Sequence, residues 1–439
     1  MASVNPPWAA RRLPLFPPST GVYNGTLFIA GHSLASLADE YGTPLYIYDR
    51  AALDLVVEEY VSALRAYAPG AARITYAGKA FLCKAVAAWT KRHNLTVDCT
   101  GEGEIGVAVA GGVLRENILV HGVNKSQADL AQAFEHAGTI VVDQLTELRN
   151  IQALAASSQF STPNLWLRLL PGVSVSTHHA YTQTGQHDSK FGMTRDEILK
   201  AAAFCKEHAL PLTGIHFHQG SNFRDPEPLL PAIDLALDLV KQIGLGDKWH
   251  FCPGGGWGAA YHEDELPRPS VDEYARGIAQ AVIAGCYTRG LTLPTLHLEP
   301  GRSLVARAGV AVYRIGAIKR RGDKIWVLTD GGMADNPRFA LYGARYSCLP
   351  VAGLNRAGAA AVSIAGPYCE SGDMILEDLQ MPELAEGELI AIPTSGAYHL
   401  SMSSNYNGAR RPATVWLEAE SVSLIQRRET VADLLRRDL

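Results

Sequence analysis

The 439-residue sequence has no hydrophobic run long enough to span a bilayer, and the segment from Met1 to Phe16 carries Arg11 and Arg12 but leads into no apolar signal-peptide core. It has no charge excess either: 39 Lys and Arg stand against 44 Asp and Glu, a formal net charge of −5, with no long block of one sign. Neither a nucleic acid nor a membrane surface is implied as a partner. Cysteine pairs are missing as well. The seven cysteines (Cys83, Cys99, Cys205, Cys252, Cys286, Cys348 and Cys369) are odd in number and scattered, with no Cys-x-x-Cys pair and no His-rich ligand spacing. They read as reduced thiols of a soluble, cytoplasmic protein without a metal centre. No internal repeat is visible, and the only biased patch is Ala357 to Ala361.

What the sequence does have is length and rhythm. Its size fits a barrel-sized domain with a smaller companion. Five prolines in the first twenty residues predict an extended, poorly ordered lead-in unless it docks. Thr26 to Ile29 and Thr43 to Tyr48 read as strands, and Ala51 to Ala66 as a helix. Eight apolar runs follow, each ending in a polar or glycine-bearing tip and most leading into an amphipathic segment: Ala72–Ala77, Leu95–Cys99, Ile118–His121, Thr139–Val142, Leu165–Leu169, Leu212–Phe217, Trp249–Cys252 and Leu296–Leu298. Thr194 with Glu197 and Ser270 with Glu273 mark helix starts. An open doubly wound sheet also alternates strand and helix, but the first strand–helix turn lacks the G-x-G-x-x-G fingerprint, and eight strands match a closed (β/α)8 TIM-like barrel.

Past Arg302 the pattern changes to short strands at Gly309–Ile318, Lys324–Thr329, Ala360–Ile364, Glu388–Pro393 and Ala413–Ser423, with a helix only at Val431–Arg436. The expected class is therefore α/β, with residues 43–304 as the barrel, 305–439 as an antiparallel β-domain, and 1–42 as an extension whose strand near Thr26 completes that β-domain.

In such a barrel the chemistry gathers at the C-terminal strand ends. Lys79 follows the first strand. A lysine there is by default a surface residue, but in a low-dielectric strand end it would supply the neutral amine of a Schiff base. Asp98, Glu102 and Glu104 follow the second strand, His121 ends the third and Arg168 lies in the fifth. The sixth runs His216-Phe217-His218-Gln219-Gly220-Ser221, and alternation predicts that the two histidines share one face, suited to stacking on an aromatic ring. After the seventh, Gly254-Gly255-Gly256 offers several N–H groups to phosphate oxygens. The eighth ends in Glu299-Pro300-Gly301-Arg302, either a structural ion pair or a pair holding a cationic ring nitrogen and an anion. Lysine, imidazole, glycine cradle and carboxylate together describe a pyridoxal 5'-phosphate site.

From about Gly42 to Leu417 the sequence resembles the diaminopimelate decarboxylases, members of the barrel-type pyridoxal-phosphate decarboxylases that include the ornithine and arginine enzymes. The resemblance rests on Tyr76-Ala77-Gly78-Lys79-Ala80, His216-x-His218-x-Gly220-Ser221, the glycine triplet, Glu299-Pro300-Gly301-Arg302, Cys369-Glu370-Ser371-Gly372-Asp373 and Met402-Ser403-Ser404-Asn405-Tyr406-Asn407. Ala340-Leu341-Tyr342-Gly343-Ala344, Gly396-Ala397-Tyr398 and the loop from Thr184-Gly185 to Ser189-Lys190-Phe191-Gly192 point to the diaminopimelate branch. Phe81 and Phe339 depart from the family's usual Asn and Pro.

The resemblance implies PLP-dependent conversion of meso-2,6-diaminopimelate to L-lysine and CO2, with Lys79 and Cys369 catalytic. Lys79, His218, Ser221, Gly254, Gly255, Gly256, Glu299, Gly301, Arg302 and Tyr398 would bind cofactor. Arg302, Arg338, Tyr342, Glu370 and Tyr398 would bind the amino-acid substrate. It also implies a homodimer with shared active sites, in which Cys369 and Glu370 reach the other subunit's lysine. A decarboxylase of ornithine, arginine or a related diamine precursor, and a non-catalytic cofactor-binding homologue, are the alternatives.

Overall fold

The computed structural model describes residues 6–68, 70–172, 185, 188–357 and 360–439; Thr184 of the family-like loop lies outside them. The chain divides into two compact units, one made of residues 57–258 with 269–301 and the other of residues 1–56, 259–268 and 302–439.

The first unit is a closed barrel of eight parallel strands: Ala72–Ala77, Thr96–Cys99, Ile118–Val120, Thr139–Val142, Asn164–Leu169, Leu212–Phe217, His250–Cys252 and Thr295–Leu298. Closure comes from the last strand pairing with the first, Leu298 opposite Ile74. The strands are mostly buried along their length because helices cover the outside and side chains fill the inside, so they read as near-continuous apolar runs. The helix starts found in the sequence are present: Thr194 and Glu197 form a reciprocal capping box, and the Ser270 hydroxyl accepts from the Glu273 N–H. Inside the barrel, His250 Nδ1 and His297 Nε2 are 3.0 Å apart, and the Trp166 ring stacks on His250.

The second unit holds a nine-stranded sheet whose main path runs Met374–Met381, Ala360–Ala365, Lys324–Thr329, Gly309–Arg321, Leu45–Asp49, Ala413–Glu418 and Ser421–Gln426; Leu389–Ile392 and Leu349–Pro350 branch from it. The sheet is mixed rather than wholly antiparallel, since Lys324–Thr329 pairs parallel with Ala360–Ala365, and Leu45–Asp49 with Ala413–Glu418. Leu45, Ile47, Val310, Val312, Val415 and Leu417 share a core with Ala9, Phe16, Leu27 and Leu34.

Several expectations are corrected here. Leu45–Asp49, assigned from sequence to the 43–304 barrel, is a central strand of this sheet: it is buried throughout and hydrogen-bonded on both sides. The strand at Thr26–Ile29 does complete the β-domain, sharing its core and donating from Leu27 N–H to the Val351 carbonyl at 2.8 Å, but its strand partners are Gly21–Tyr23 and His32–Ser33 in a small sheet of its own. The proline-rich lead-in is not extended. Pro7–Arg12 is helical, with its fixed-φ prolines at the helix start, and Phe16 is buried. The single run Ala413–Ser423 is a hairpin of two strands, and Met374–Met381 is a strand the sequence pattern did not reveal.

Candidate active site

At the mouth of the barrel, Glu299 follows the eighth strand and is nearly fully buried. His121 Nε2 donates to its Oε1 at 3.0 Å and His216 Nε2 to its Oε2 at 3.1 Å. Burial alone would raise the carboxyl, but the two imidazoles outweigh it and hold Glu299 well below the usual carboxylate range. Burial also keeps the histidines neutral, lowering His121 to about 3 and His216 below its ordinary value. Each therefore has one N–H, spent on Glu299. The other nitrogen of His216, Nδ1, is buried without a hydrogen-bond partner among the described residues, as an acceptor-only nitrogen in this tautomer. Asp98 behaves oppositely. Its Oδ1 lies 3.8 Å from His121 Nε2, and burial, then the charge of Glu299, push its carboxyl well up. The two neighbouring carboxyls are thus shifted in opposite directions.

The glycine triplet lies directly against these groups. Gly255 bridges to Glu299, and Glu299 N–H donates to the Gly254 carbonyl at 3.0 Å. A Cβ on Gly254 would come within 2.6 Å of the Phe217 carbonyl oxygen, and one on Gly256, whose φ is +97°, would collide with the Gly220 carbonyl beside Ser221. Only glycine permits this approach. Gly301 plays the same part at the eighth strand's tip, where a Cβ would stand 3.0 Å from Ala77 Cβ.

Lys79 sits in the short 3-10 turn Gly78–Ala80 and is exposed. The strand before it ends at Ala77, which is buried. The charge of Lys79 acts on Asp98, His216 and His218. His218 lies one residue past the end of the sixth strand, where strand alternation no longer governs it, and its Nδ1 accepts from Gly255 N–H at 3.2 Å. Arg168 is buried 3.5 Å from Asp143 and lies over the Phe191 ring.

The second unit gathers the remaining residues around tyrosines. Arg302 donates to the Tyr261 hydroxyl at 2.5 Å and lies 4.8 Å from the centre of the Tyr398 ring. Tyr398 has φ +61°, an uncommon backbone for a bulky residue and one that marks an over-determined position. Arg338 is buried, lies 4.4 Å from the Tyr261 ring centre and donates to the Tyr346 hydroxyl. Among the described residues no carboxylate forms an ion pair with it. Tyr342, half-buried, ends the helix Arg338–Tyr342. Cys369 and Glu370 are exposed on a turn, with Cys369 N–H donating to Asn407 Oδ1 at 2.9 Å.

The structure thus brings Lys79, His218, Ser221, the glycine triplet, Glu299 and Gly301 to one barrel mouth, and Arg302, Arg338 and Tyr398 to one tyrosine cluster. Sequence reasoning noted Asp98, His121 and His216 as strand-tip residues without seeing that the two histidines hold Glu299 and that Glu299 in turn raises Asp98. It missed Tyr261 and Tyr346, for which local sequence carries no signal.

A family profile described as "Pyridoxal-dependent decarboxylase, pyridoxal binding domain" matches residues 53–306. Diaminopimelate decarboxylase of Bacillus subtilis is 38% identical over 429 residues, covering 95% of this chain and 96% of that one. The Synechocystis enzyme of the same name is 35% identical over 430 residues, covering 94% and 90%. Among solved structures, diaminopimelate decarboxylase from M. jannaschii in co-complex with L-lysine superposes with a TM-score of 0.89 at 29% identity, over 96% of this chain and 98% of that one.

Proposed function

The chain belongs to the pyridoxal-dependent decarboxylases and, within them, to the diaminopimelate decarboxylases; from that premise we propose how its residues share the release of CO2 from meso-2,6-diaminopimelate that leaves L-lysine. The observation that carries the reading is the buried, ionised Glu299 held by two neutral imidazoles beside a glycine cradle. These residues fit pyridoxal 5'-phosphate, since the crowded backbone of Gly254–Gly256 admits no side chain where phosphate oxygens need N–H groups, and an anion stands ready for a ring N–H. When bound, that cofactor supplies the electron-poor ring that takes up the electron pair of the broken Cα–carboxylate bond.

Lys79 Nζ is the amine that would hold the cofactor. Gly254, Gly255, Gly256, Ser221, Gly301 and Arg302 would hold its phosphate, and His218 would help hold its ring. Glu299 would keep a proton on the ring nitrogen, with the His121 and His216 N–H groups holding the carboxylate in place. Arg302, Arg338, Tyr342, Tyr398 and Glu370 bind substrate, with guanidinium taking carboxylate and Glu370 taking ammonium. A buried arginine without a carboxylate partner favours a diacid over lysine or ornithine, which would leave it unpaired. Cys369 Sγ–H delivers the proton to Cα after CO2 departs. The enzyme acts in the cytoplasm as a homodimer whose exposed Cys369 and Glu370 serve the site of the second copy. Its seven unpaired cysteines support a reducing compartment, and no helix among the described residues is long and apolar enough to cross a membrane.

The test is CO2 release measured across meso-diaminopimelate, L-lysine, L-ornithine and L-arginine. Turnover should be confined to the first, and comparable kcat/KM on ornithine would overturn the substrate assignment.

A further inference from the structure

Behind Arg338 runs a buried chain of hydrogen bonds within the second unit. Arg338 Nη1 meets the Tyr346 hydroxyl, which lies 2.7 Å from His399 Nε2. His399 Nδ1 lies 3.2 Å from the Tyr46 hydroxyl, and Tyr46 reaches Asp335 Oδ2 at 3.1 Å. Tyr313 donates to the same carboxylate oxygen at 2.5 Å. Asp335, Arg338 and Tyr346 come from one stretch and Tyr46, Tyr313 and His399 from distant parts of the sequence, and all six side chains are buried.

The sense of every bond follows from its first member. Guanidinium has no acceptor, so Arg338 donates and the Tyr346 oxygen accepts. The Tyr346 hydrogen then goes to His399 Nε2, which requires the imidazole to carry its proton on Nδ1. Nδ1–H donates to Tyr46, and Tyr46 donates to Asp335. The chain is satisfied from end to end only with a neutral His399, and burial, Arg338 and Arg302 all depress its protonation. A cation at one end and a carboxyl at the other polarise the intervening groups in one direction.

We propose that Tyr346, His399, Tyr46 and Asp335 are positioning residues that fix the Arg338 guanidinium in the orientation in which it receives a substrate carboxylate. This rests on the reading of Arg338 as a carboxylate receptor. The relay holds Arg338 at Nη1 through a hydroxyl, and so stands in place of the carboxylate counter-ion that a buried arginine ordinarily requires. A direct ion pair would compete with substrate for the guanidinium; a tyrosine hydroxyl orients it without neutralising it.

The test is a double-mutant cycle on the holoenzyme with meso-diaminopimelate. Tyr346→Phe keeps the ring and removes the hydroxyl; KM should rise about tenfold while kcat stays within about threefold. The same substitution in an Arg338→Ala background should change KM by less than about twofold, because the residue acts through the arginine. His399→Leu should reproduce Tyr346→Phe, and His399→Gln, whose amide can both accept and donate, should recover most of the loss. Equal increments in both backgrounds, or a fall in kcat at constant KM, would overturn the relay. If Tyr346→Phe does not fold, the His399→Leu and His399→Gln pair decides: equal KM values overturn the proposal. Failure of the underlying reading looks different, because Arg338→Ala would then leave KM unchanged.

Discussion

Glu299 is buried yet ionised because two neutral histidines each give it their single N–H. Replacing it with glutamine removes the negative charge while preserving most of the shape. Glu299→Gln should therefore retain bound cofactor, seen by visible absorbance, with kcat lowered about 10²- to 10³-fold; a near-normal rate would mean that another group protonates the ring. Lys79→Ala should lose turnover and the absorbance of the lysine-bound cofactor together, and retained colour with full activity would reject its role. The buried histidines also make a pH statement. His121 and His297 are lowered to about 3, mainly by burial, whereas in the unfolded chain they titrate at the ordinary value. Between about pH 6.5 and 3 the unfolded state binds more protons, so stability falls on acidification by about 1.4 kcal/mol per pH unit for each histidine. Asp335, raised to about 6 by burial, acts in the opposite sense between roughly pH 4 and 6, since there the folded state holds the proton. Among the described residues, six histidines (His121, His216, His218, His250, His297 and His399) are lowered in this way, against five raised carboxyls (Asp49, Asp98, Glu147, Asp335 and Asp373), so urea denaturation should show net loss of stability from pH 6 to 5. His297→Gln, inside the barrel, should flatten that slope by about one histidine's share.

At the scale of elements, the backbone of the strand tips is as constrained as their side chains. Gly256→Ala forces a positive-φ alanine against the Gly220 carbonyl; cofactor affinity should fall at least about tenfold and Tm by several degrees, at a strain cost of about 1–3 kcal/mol. Gly103→Ala, in the helix Glu102–Ala110 with open space around it, should instead raise the unfolding free energy from urea denaturation by about 0.5–1 kcal/mol. The barrel strands were legible because each is a short apolar run with a polar tip, and Lys79, His218, the glycine triplet and Glu299 were legible because they occupy those tips. Local pattern does not say which sheet a strand joins. Leu45–Asp49 reads the same in a barrel or a sheet, and only the pairing of Val310 with Ile47 and of Val415 with Ile47 decides. Met374–Met381 was hidden by Glu377 and Asp378 in mid-strand, where the register shifts and Asp378 takes φ +51°. The relay behind Arg338 was invisible because Tyr46 and His399 are 353 residues apart.

For the whole molecule, the exposed turn bearing Cys369 and Glu370 bears on how many copies make an active site. If these residues serve a second copy, Lys79→Ala and Cys369→Ala, each nearly inactive, should regain about a quarter of wild-type activity when subunits are exchanged, since half the dimers are mixed and each has one intact site. Absence of recovery after exchange verified by a tag would return Cys369 to a structural role. The large sheet has a further consequence, for synthesis rather than catalysis. Its central strand Leu45–Asp49 leaves the ribosome before the barrel, whereas its neighbour begins at Gly309 and the other at Ala413. At about 5–20 residues per second, the segment Leu-Tyr-Ile-Tyr-Asp waits roughly ten to fifty seconds, apolar and without its partners, while the barrel is being translated. Slower elongation prolongs that exposure, so conditions that usually favour folding during translation would lengthen this nascent chain's most aggregation-prone interval.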